Sequence, residues 1–263
     1  MITSVQNQRV KDAIKLRGRR QREKQGRFLI DGARELGHAI TAGIELVEIF
    51  ACREHCESGD ARSVLARLEA AGATMENVTQ EVFAKLAFGD RAEGLLAVAR
   101  TPSDDLASLR LGPQPLVAVV EAIEKPGNLG AVLRSADAAG VSAVIAAGGG
   151  TDLYNPNVIR ASLGTLFTLP VRSAASAALL QWLRELGLPI YTARVDAAQL
   201  YTDVSFASPC AIVLGNEAGG LSSVWNAAGI TAIKIPMHGA ADSLNIAAAA
   251  AVLFYEALRQ RSQ

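Results

Sequence analysis

The sequence predicts an α/β protein with two domains, a smaller α/β domain followed by a larger domain built on a parallel sheet. Beyond residue 115, short apolar runs alternate with helical patterns. A polar segment with three prolines, residues 101–115, separates two apolar patterns and is typical of a linker. The chain has 263 residues, half of them hydrophobic, which is enough for two modest domains. We therefore expect domains at residues 1–100 and 115–263, joined by a linker at 101–114.

The first domain carries signals for strands and helices. The segment FLIDGARELGHAITAG, residues 28–43, begins this α/β unit. Apolar runs predict strands at 46–51 and 95–99, and helical patterns are found at 61–72 and 80–87. About 100 residues make a plausible independent domain.

The second domain has the pattern of a parallel sheet covered on both faces, because its strands are continuously apolar and are joined by helices. Strands are expected at 116–123, 141–147, 188–194, 210–215 and 230–236. Helices are expected at 129–139, 174–187 and 221–228, with a closing helix from about Ser243. Ligands of such sheets bind outside the carboxyl ends of the strands, so the loops that directly follow strands are the candidate sites.

The charge is unevenly distributed although the formal net charge is zero. Residues 9–27 contain nine Lys or Arg against Asp12 and Glu23, a local net of +7. Such a run is either a solvated face or an arm that binds the phosphates of nucleic acid. The residues predicted to bind RNA are Arg17, Arg19, Arg20, Arg22, Lys24 and Arg27.

Composition also indicates the cellular compartment of the protein and whether it binds a metal. No apolar run at the N-terminus resembles a signal peptide, and the longest one near the C-terminus, 246–255, is only ten residues long. Three cysteines are typical of a reduced cytoplasmic protein without disulfides. The motif CREHC at 52–56 lacks a second ligand pair, so we expect no metal.

Three loops that follow strands combine glycine with polar side chains. The first, 121–140, contains Asn128, which is either a helix N-cap or a site residue, and Arg134 two turns into the helix. Its glycines do not form the dinucleotide-binding fingerprint. The second, LGNEAGGLS at 214–222, contains Glu217, which is either a solvated acid or a functional one. The third, IPMHGAADSLN at 235–245, contains His238, a candidate acid or base.

In this order and spacing the three loops resemble the signature motifs of the SpoU/TrmH-type RNA ribose methyltransferases of the SPOUT superfamily. The resemblance covers about residues 116–260, including Arg160 and Gly164 in the segment 155–171. Residues 1–100 resemble, more loosely, the ribosomal-protein-like RNA substrate-binding domain of the same family. The motif residues are Asn128, Gly130, Arg134 and Gly140, then Leu214, Gly215, Asn216, Glu217, Gly220 and Leu221, then Ile235, Pro236, Met237, Ser243, Leu244 and Asn245.

The resemblance implies a trefoil knot near the C-terminus, S-adenosylmethionine as cofactor, and methyl transfer to a ribose 2′-hydroxyl of RNA, in ribosomal rather than transfer RNA. It also implies a homodimer. It assigns catalysis to Arg134, Asn128, Glu217, Ser243 and Asn245. The residues that it assigns to cofactor binding are Leu214, Gly215, Asn216, Ile235, Met237, Ser243 and Leu244.

Two features of this assignment have physical readings. A guanidinium is effectively never deprotonated, so Arg134 is better suited to hold a phosphate and stabilise alkoxide charge than to act as a base. The five alanines at 247–251 are expected to let the closing helix pack closely, so leucine at Ala248 and Ala249 should abolish either folding or dimer formation.

Two other functions compete. A nicotinamide-dependent oxidoreductase would also have a parallel sheet with glycine-rich turns. A non-catalytic RNA-binding protein would also have the basic arm.

Overall fold

A computed structural model describes residues 1–88, 93–149, 151–216 and 219–262, and the elements below are those of this part of the chain. The strands are β1 (Arg27–Asp31), β2 (Leu46–Ala51), β3 (Glu76–Asn77), β4 (Leu95–Arg100), β5 (Leu116–Glu121), β6 (Ala143–Ala147), β7 (Val171–Ala174), β8 (Ile190–Ala193), β9 (Gln199–Leu200), β10 (Cys210–Leu214) and β11 (Ile230–Lys234). The helices are α1 (Gln8–Lys15), α2 (Arg19–Gln25), α3 (Ala33–Thr41), α4 (Gly59–Ala70), α5 (Gln80–Leu86), α6 (Pro126–Ala138), α7 (Pro156–Ala161), α8 (Thr165–Thr168), α9 (Ser176–Glu185) and α10 (Ile246–Arg261).

The chain divides into two compact units. The first contains Met1–Pro102 together with Tyr154–Thr168, and the second contains Ser103–Leu153 and Leu169–Gln263. The segment Tyr154–Thr168, which the sequence analysis placed in the second domain, is therefore grouped with the first unit. No helix of the described residues is long and apolar enough to cross a membrane.

The first unit is built on a four-stranded sheet in the order β1-β4-β2-β3. β4 pairs with β1 and β2 in antiparallel fashion, and β2 pairs with β3 in parallel. The grouping of the segment 154–168 with this unit has a local cause, because the ring of Tyr154 lies 4.6 Å from that of Phe28, between centroids. Gly164 in turn leaves no room for a side chain, since a Cβ atom there would lie 2.8 Å from the ring of His38.

A buried carboxylate lies at the end of β1. Asp31 is 8% exposed and accepts a hydrogen bond from the backbone N–H of Phe88, whose carbonyl accepts one from Arg160 of α7. Burial raises the pKa of Asp31 to about 6, although the Phe88 hydrogen bond and the charge of Arg160 oppose the increase. Glu35, which is also buried, and Glu93 add to the increase in this pKa.

The second unit is built on a seven-stranded sheet in the order β7-β6-β5-β10-β8-β11-β9. Every pairing in it is parallel, as the continuously apolar runs predicted. β5, β6 and β10 are buried along their whole length, which agrees with a sheet covered on both faces. The order reverses beside β5, because β6 and β7 follow on one side of it and β10 and β8 lie on the other.

Strand positions were predicted more closely than helix ends. The predicted strands at 46–51, 95–99, 116–123, 141–147, 188–194, 210–215 and 230–236 all contain a strand, whereas β1, β3, β7 and β9 were not predicted. The helix predicted at 221–228 is wrong, since only a 3₁₀ turn, Ser223–Asn226, is found there. Burial of Trp225 in that turn, rather than helical periodicity, explains the apolar residues.

Two helices start a few residues away from the expected positions. Of the two alternatives for Asn128, the N-cap is excluded, because α6 begins at Pro126 with Lys125 as its N-cap. Proline is favoured at the first helical position, where its missing N–H costs no hydrogen bond. The closing helix starts three residues later than Ser243, and Asn245 is its N-cap, accepting the N–H of Ala247 at 2.9 Å.

Candidate functional site

A pocket of about 510 Å³, here called the main pocket, lies at the carboxyl ends of β8, β10 and β11 and at the start of α10. All seven residues predicted to bind the cofactor line it, although they come from two loops separated in the chain. These residues are Leu214, Gly215, Asn216, Ile235, Met237, Ser243 and Leu244. The parallel sheet brings them together because its strands end at the same edge.

The main pocket has a third side that the sequence analysis missed. Arg194, Val195 and Asp196, directly after β8, also line it. Arg194 donates two hydrogen bonds of 3.0 Å to Asp196, and these hold the pKa of that carboxyl below its usual value. This loop has no glycine, so only its position after a predicted strand could have indicated it.

Gly215 must be a glycine for the loop after β10 to close. A Cβ atom at this position would lie 2.3 Å from the backbone carbon of Gly220 and 2.4 Å from its oxygen. The backbone of Gly220 cannot withdraw freely, since its N–H donates to the carbonyl of Asn216 at 3.1 Å. The two glycines therefore let the loop fold back on itself along the wall of the main pocket.

Asn216 is the centre of the same loop. Its side-chain oxygen accepts the backbone N–H of Gly219, and its side-chain amide donates to the carbonyl of Ala122 at 3.5 Å. These bonds connect the loop after β10 with the connection that follows β5. Glu217, predicted to be catalytic, lies outside the described residues.

The remaining predicted catalytic residues lie on α6 and at the start of α10. Asn245 donates from its side-chain amide to the side-chain oxygen of Asn128 at 3.3 Å, so the first and third motifs meet. Ser243 is exposed at the mouth of the main pocket. Arg134 is exposed on α6 and does not line the main pocket. The described structure thus joins Asn128 with Asn245 but does not bring Arg134 to the pocket.

Glu121, at the end of β5, is a central polar residue that the sequence analysis did not identify. It is 3% exposed and accepts hydrogen bonds from the hydroxyl of Ser176, the N–H and hydroxyl of Ser222 (2.7 and 2.9 Å) and the indole N–H of Trp225 (2.9 Å). Burial alone would raise the pKa of Glu121, but these hydrogen bonds outweigh it and hold the pKa below its usual value. An ionised carboxylate therefore ties β5 to α9 and to the loop after β10.

Two of the six residues predicted to bind RNA donate hydrogen bonds to backbone carbonyls of the first unit. Arg22 is 4% exposed, and its guanidinium donates to the carbonyls of Leu16 and Arg17 at 2.7 Å each. Arg17 donates to three carbonyls at the end of α5, of which that of Ala87 is 2.7 Å away. The assignment of Arg22 to RNA is corrected because its side chain is buried and bound to backbone carbonyls of the first unit, whereas that of the half-buried Arg17 stays a prediction.

The other four basic residues are accessible. Arg20 and Lys24 are exposed on α2, and Arg27 is half-buried in β1. Arg19 is exposed and paired with Glu23 at 2.7 Å, an exposed pair that a phosphate can replace at little cost.

Comparison with known proteins identifies the family. The profile of the SpoU rRNA Methylase family matches residues 115–255, and that of the MRM3-like substrate binding domain matches residues 7–97. The 23S rRNA (uridine(2479)-2'-O)-methyltransferase of Streptomyces viridochromogenes is 32% identical over 256 residues, which cover 94% of this chain and 87% of the relative.

Solved structures agree along the whole chain. A crystal structure of an RNA 2'-O ribose methyltransferase has a TM-score of 0.85 and 44% identity, covering 100% of this chain and 99% of that one. The SpoU methyltransferase AviRb from Streptomyces viridochromogenes, solved in complex with AdoMet, has a TM-score of 0.86 and 30% identity over 98% and 99% of the two chains. The parallel-sheet α/β fold expected of the SPOUT superfamily is confirmed. The chain belongs to the SpoU rRNA methylase family.

Proposed function

We propose that the protein transfers a methyl group from S-adenosylmethionine to a ribose 2′-hydroxyl of large-subunit ribosomal RNA. The observation that carries the proposal is the main pocket, which collects the seven predicted cofactor residues from two separate loops. Two relatives of the protein support the reaction, since each is named a 23S rRNA 2'-O-methyltransferase. An AdoMet-bound relative supports the cofactor.

The residues of the main pocket fit this cofactor. The volume of about 510 Å³ lies within the range of small-molecule sites, about 300–1,000 Å³. Leu214, Ile235 and Leu244 offer apolar surface to an adenine ring, and the close turn at Gly215 exposes backbone groups to its edge. Asp242 supplies negative charge that would favour a positively charged sulfonium, whereas the charge of Asp196 is offset by Arg194. S-adenosylmethionine, when bound, supplies an activated methyl group.

The chain then has to place one hydroxyl in line with the methyl group and stabilise the charge that develops on it. Asn128 and Asn245, joined at 3.3 Å, are suited to hold the ribose. Ser243, at the pocket mouth, and Glu217 complete the proposed set. Arg134 holds the adjacent phosphate and stabilises the developing alkoxide, since its guanidinium gives paired hydrogen bonds and keeps its proton.

The proposal includes a homodimer in which Arg134 acts in the partner's site. Its exposed position on α6, away from the main pocket, supports this arrangement. Refolded mixtures of an Arg134→Ala chain with a Met237→Trp chain test it. If the arginine acts across the dimer, mixed dimers regain one complete site, and roughly a quarter of wild-type activity returns for random pairing of two symmetric subunits. Mixtures as inactive as either variant would show that pocket and arginine belong to one chain.

Three further features belong to the same proposal. A trefoil knot is part of the proposal through the resemblance to the SPOUT superfamily. If the chain is knotted, pulling its two termini apart should give an extended length shorter than that of an unknotted chain of 263 residues. A cytoplasmic location is supported by three buried cysteines without a disulfide. RNA contact through α2 is supported by the exposed residues Arg20 and Lys24.

Methyl transfer is tested directly with purified protein, labelled S-adenosylmethionine and unmodified 23S ribosomal RNA transcribed in vitro. A 2′-O-methyl group blocks alkaline cleavage at its nucleotide, so the label should survive in an alkali-resistant dinucleotide. The Arg134→Lys variant keeps the charge but loses the paired geometry, and should lose turnover while it retains cofactor affinity. Absence of transfer, or label released in a single nucleotide, would refute the function.

A further inference from the structure

A second pocket, of about 610 Å³, lies beside the main pocket at the carboxyl ends of β5, β6, β7 and β10; it is here called the Glu121 pocket. Asn216, Gly219 and Gly220 line both pockets, so the loop after β10 borders both. In parallel α/β sheets, ligands bind in the crevice where the strand order reverses, and this reversal is found beside β5. The Glu121 pocket therefore has the position of a ligand site, yet none of the proposed cofactor residues except Asn216 lines it.

The walls of the Glu121 pocket are made largely of backbone and small side chains. Ala122, Gly148, Gly149, Ala175 and Ala177 line it. Because none of these has a side chain beyond Cβ, a ligand can approach backbone amides and carbonyls closely. The pocket can therefore hold a chemical group whose edge forms hydrogen bonds with these backbone amides and carbonyls.

The polar lining favours a hydrogen-bond donor over an anion. Glu121 lines the pocket as a buried carboxylate, and among the described residues its Oε2 atom accepts only the backbone N–H of Ser222. A carboxylate oxygen can accept more than one hydrogen bond, so Oε2 keeps acceptor capacity. A phosphate in the same pocket would face this negative charge, whereas amino and imino groups would be attracted to it.

We propose that the Glu121 pocket holds one unstacked base of the RNA substrate, next to the ribose that is methylated in the main pocket. The inference rests on the proposed function, because RNA is the polymer that offers such a base. A nucleobase combines a flat apolar body with N–H donors at its edge, and sequence-specific RNA recognition commonly takes single bases out of the stack in this way. Asn216 and its loop would then contact both the cofactor and the base.

A matched pair of variants on α9 tests the proposal. Ala177 and Ala178 are both exposed near the start of this helix, but only Ala177 lines the Glu121 pocket. Ala177→Trp places an indole, about the size of a purine, in the pocket, and Ala178→Trp adds the same group outside it. Ala177→Leu is a smaller obstruction without an aromatic face. Circular dichroism and thermal unfolding verify that each variant is folded.

We expect Ala177→Trp to raise the KM for 23S ribosomal RNA by about 10- to 100-fold, the range for loss of one base contact, with Ala177→Leu between it and the wild type. The affinity for S-adenosylmethionine should stay unchanged, and Ala178→Trp should behave as the wild type. Equal KM values for Ala177→Trp and Ala178→Trp, with an active wild type, would overturn this inference alone. A wild type that neither binds S-adenosylmethionine nor methylates the RNA would overturn the proposed function and this inference with it.

Discussion

Replacement of Glu121 by glutamine should destabilise the protein more than its small chemical change suggests. The glutamine amide keeps one acceptor oxygen, but its NH₂ group has to face donors that the carboxylate accepted. Serine hydroxyls can rotate to accept instead. The backbone N–H of Ser222, bound to Oε2, and the indole N–H of Trp225, bound to Oε1, are fixed donors. Either orientation of the amide therefore leaves one fixed donor without a partner.

The magnitude follows from these contacts. A buried donor without a partner costs about 1–3 kcal/mol, and the loss of charge weakens the remaining hydrogen bonds, so the free energy of unfolding should fall by about 2–4 kcal/mol. Urea unfolding followed by circular dichroism measures this change. In a Trp182→Phe background Trp225 is the remaining tryptophan of the two, and its emission should shift when its indole loses the carboxylate.

Glu124→Gln is the control, since Glu124 is exposed on the same connection between β5 and α6. It should change stability by less than about 0.5 kcal/mol, as exposed substitutions usually do. A Glu121→Gln protein that unfolds within that margin of the wild type, with Trp225 emission unchanged, would show that the carboxylate does not anchor the loop.

Three further predictions concern the loop, the closing helix and the buried acid. Gly215→Ala should reduce the affinity for S-adenosylmethionine at least tenfold, because its Cβ atom would lie 2.3 Å from the Gly220 backbone. Gly219→Ala is the control, since the atom nearest to its Cβ would be 3.4 Å away. Equal dissociation constants of the two variants in titration calorimetry would contradict the steric argument. Ala250→Leu should lower the free energy of unfolding by about 1–3 kcal/mol, because the larger side chain overpacks a fully buried position. Ala248→Leu, at an exposed position, should leave this free energy unchanged. A larger loss of stability for Ala248→Leu than for Ala250→Leu in urea unfolding would contradict this packing. The pKa of Asp31 rises from 3.8 to about 6 on folding, so the folded state binds more protons and stability should fall as pH rises between these values, by up to about 3 kcal/mol. Asp31→Asn should remove this dependence. If the free energies of unfolding of the wild type and of Asp31→Asn change in the same way between pH 4 and pH 7, the prediction is wrong.

The alanine row illustrates the limit of sequence reasoning. The run 247–251 correctly predicted a helix with a close-packed face, since five small residues can be read directly from the sequence. Which alanine packs inside the chain could not be read from the sequence, and the expected effect of leucine at Ala248 and Ala249 on dimer formation stays a prediction. Within the chain Ala248 is exposed and Ala249 lines the main pocket, whereas Ala250 is fully buried. A run of identical residues contains no period that could distinguish its faces.

The basic arm shows the same limit for charge. The sequence located nine basic residues within 9–27, but it could not show that Arg22 and Arg17 bind backbone carbonyls. The carbonyls of Lys85 and Ala87, which Arg17 binds, belong to residues about seventy positions further along the chain, and no local sequence pattern connects these residues with Arg17. Exposure, and with it the part of the arm available to RNA, is a property of the folded unit.

By itself the sequence determined the parallel sheet, most of its strands and the three loops at their ends, because alternation of apolar runs and the turn residues beside them are local properties. The tertiary structure alone decided that seven residues from two loops surround one pocket, that the loop after β8 completes it, and that Glu121 binds Trp225 across 104 positions of the chain. These contacts depend on which strands become neighbours, and strand order is set by packing of the whole sheet.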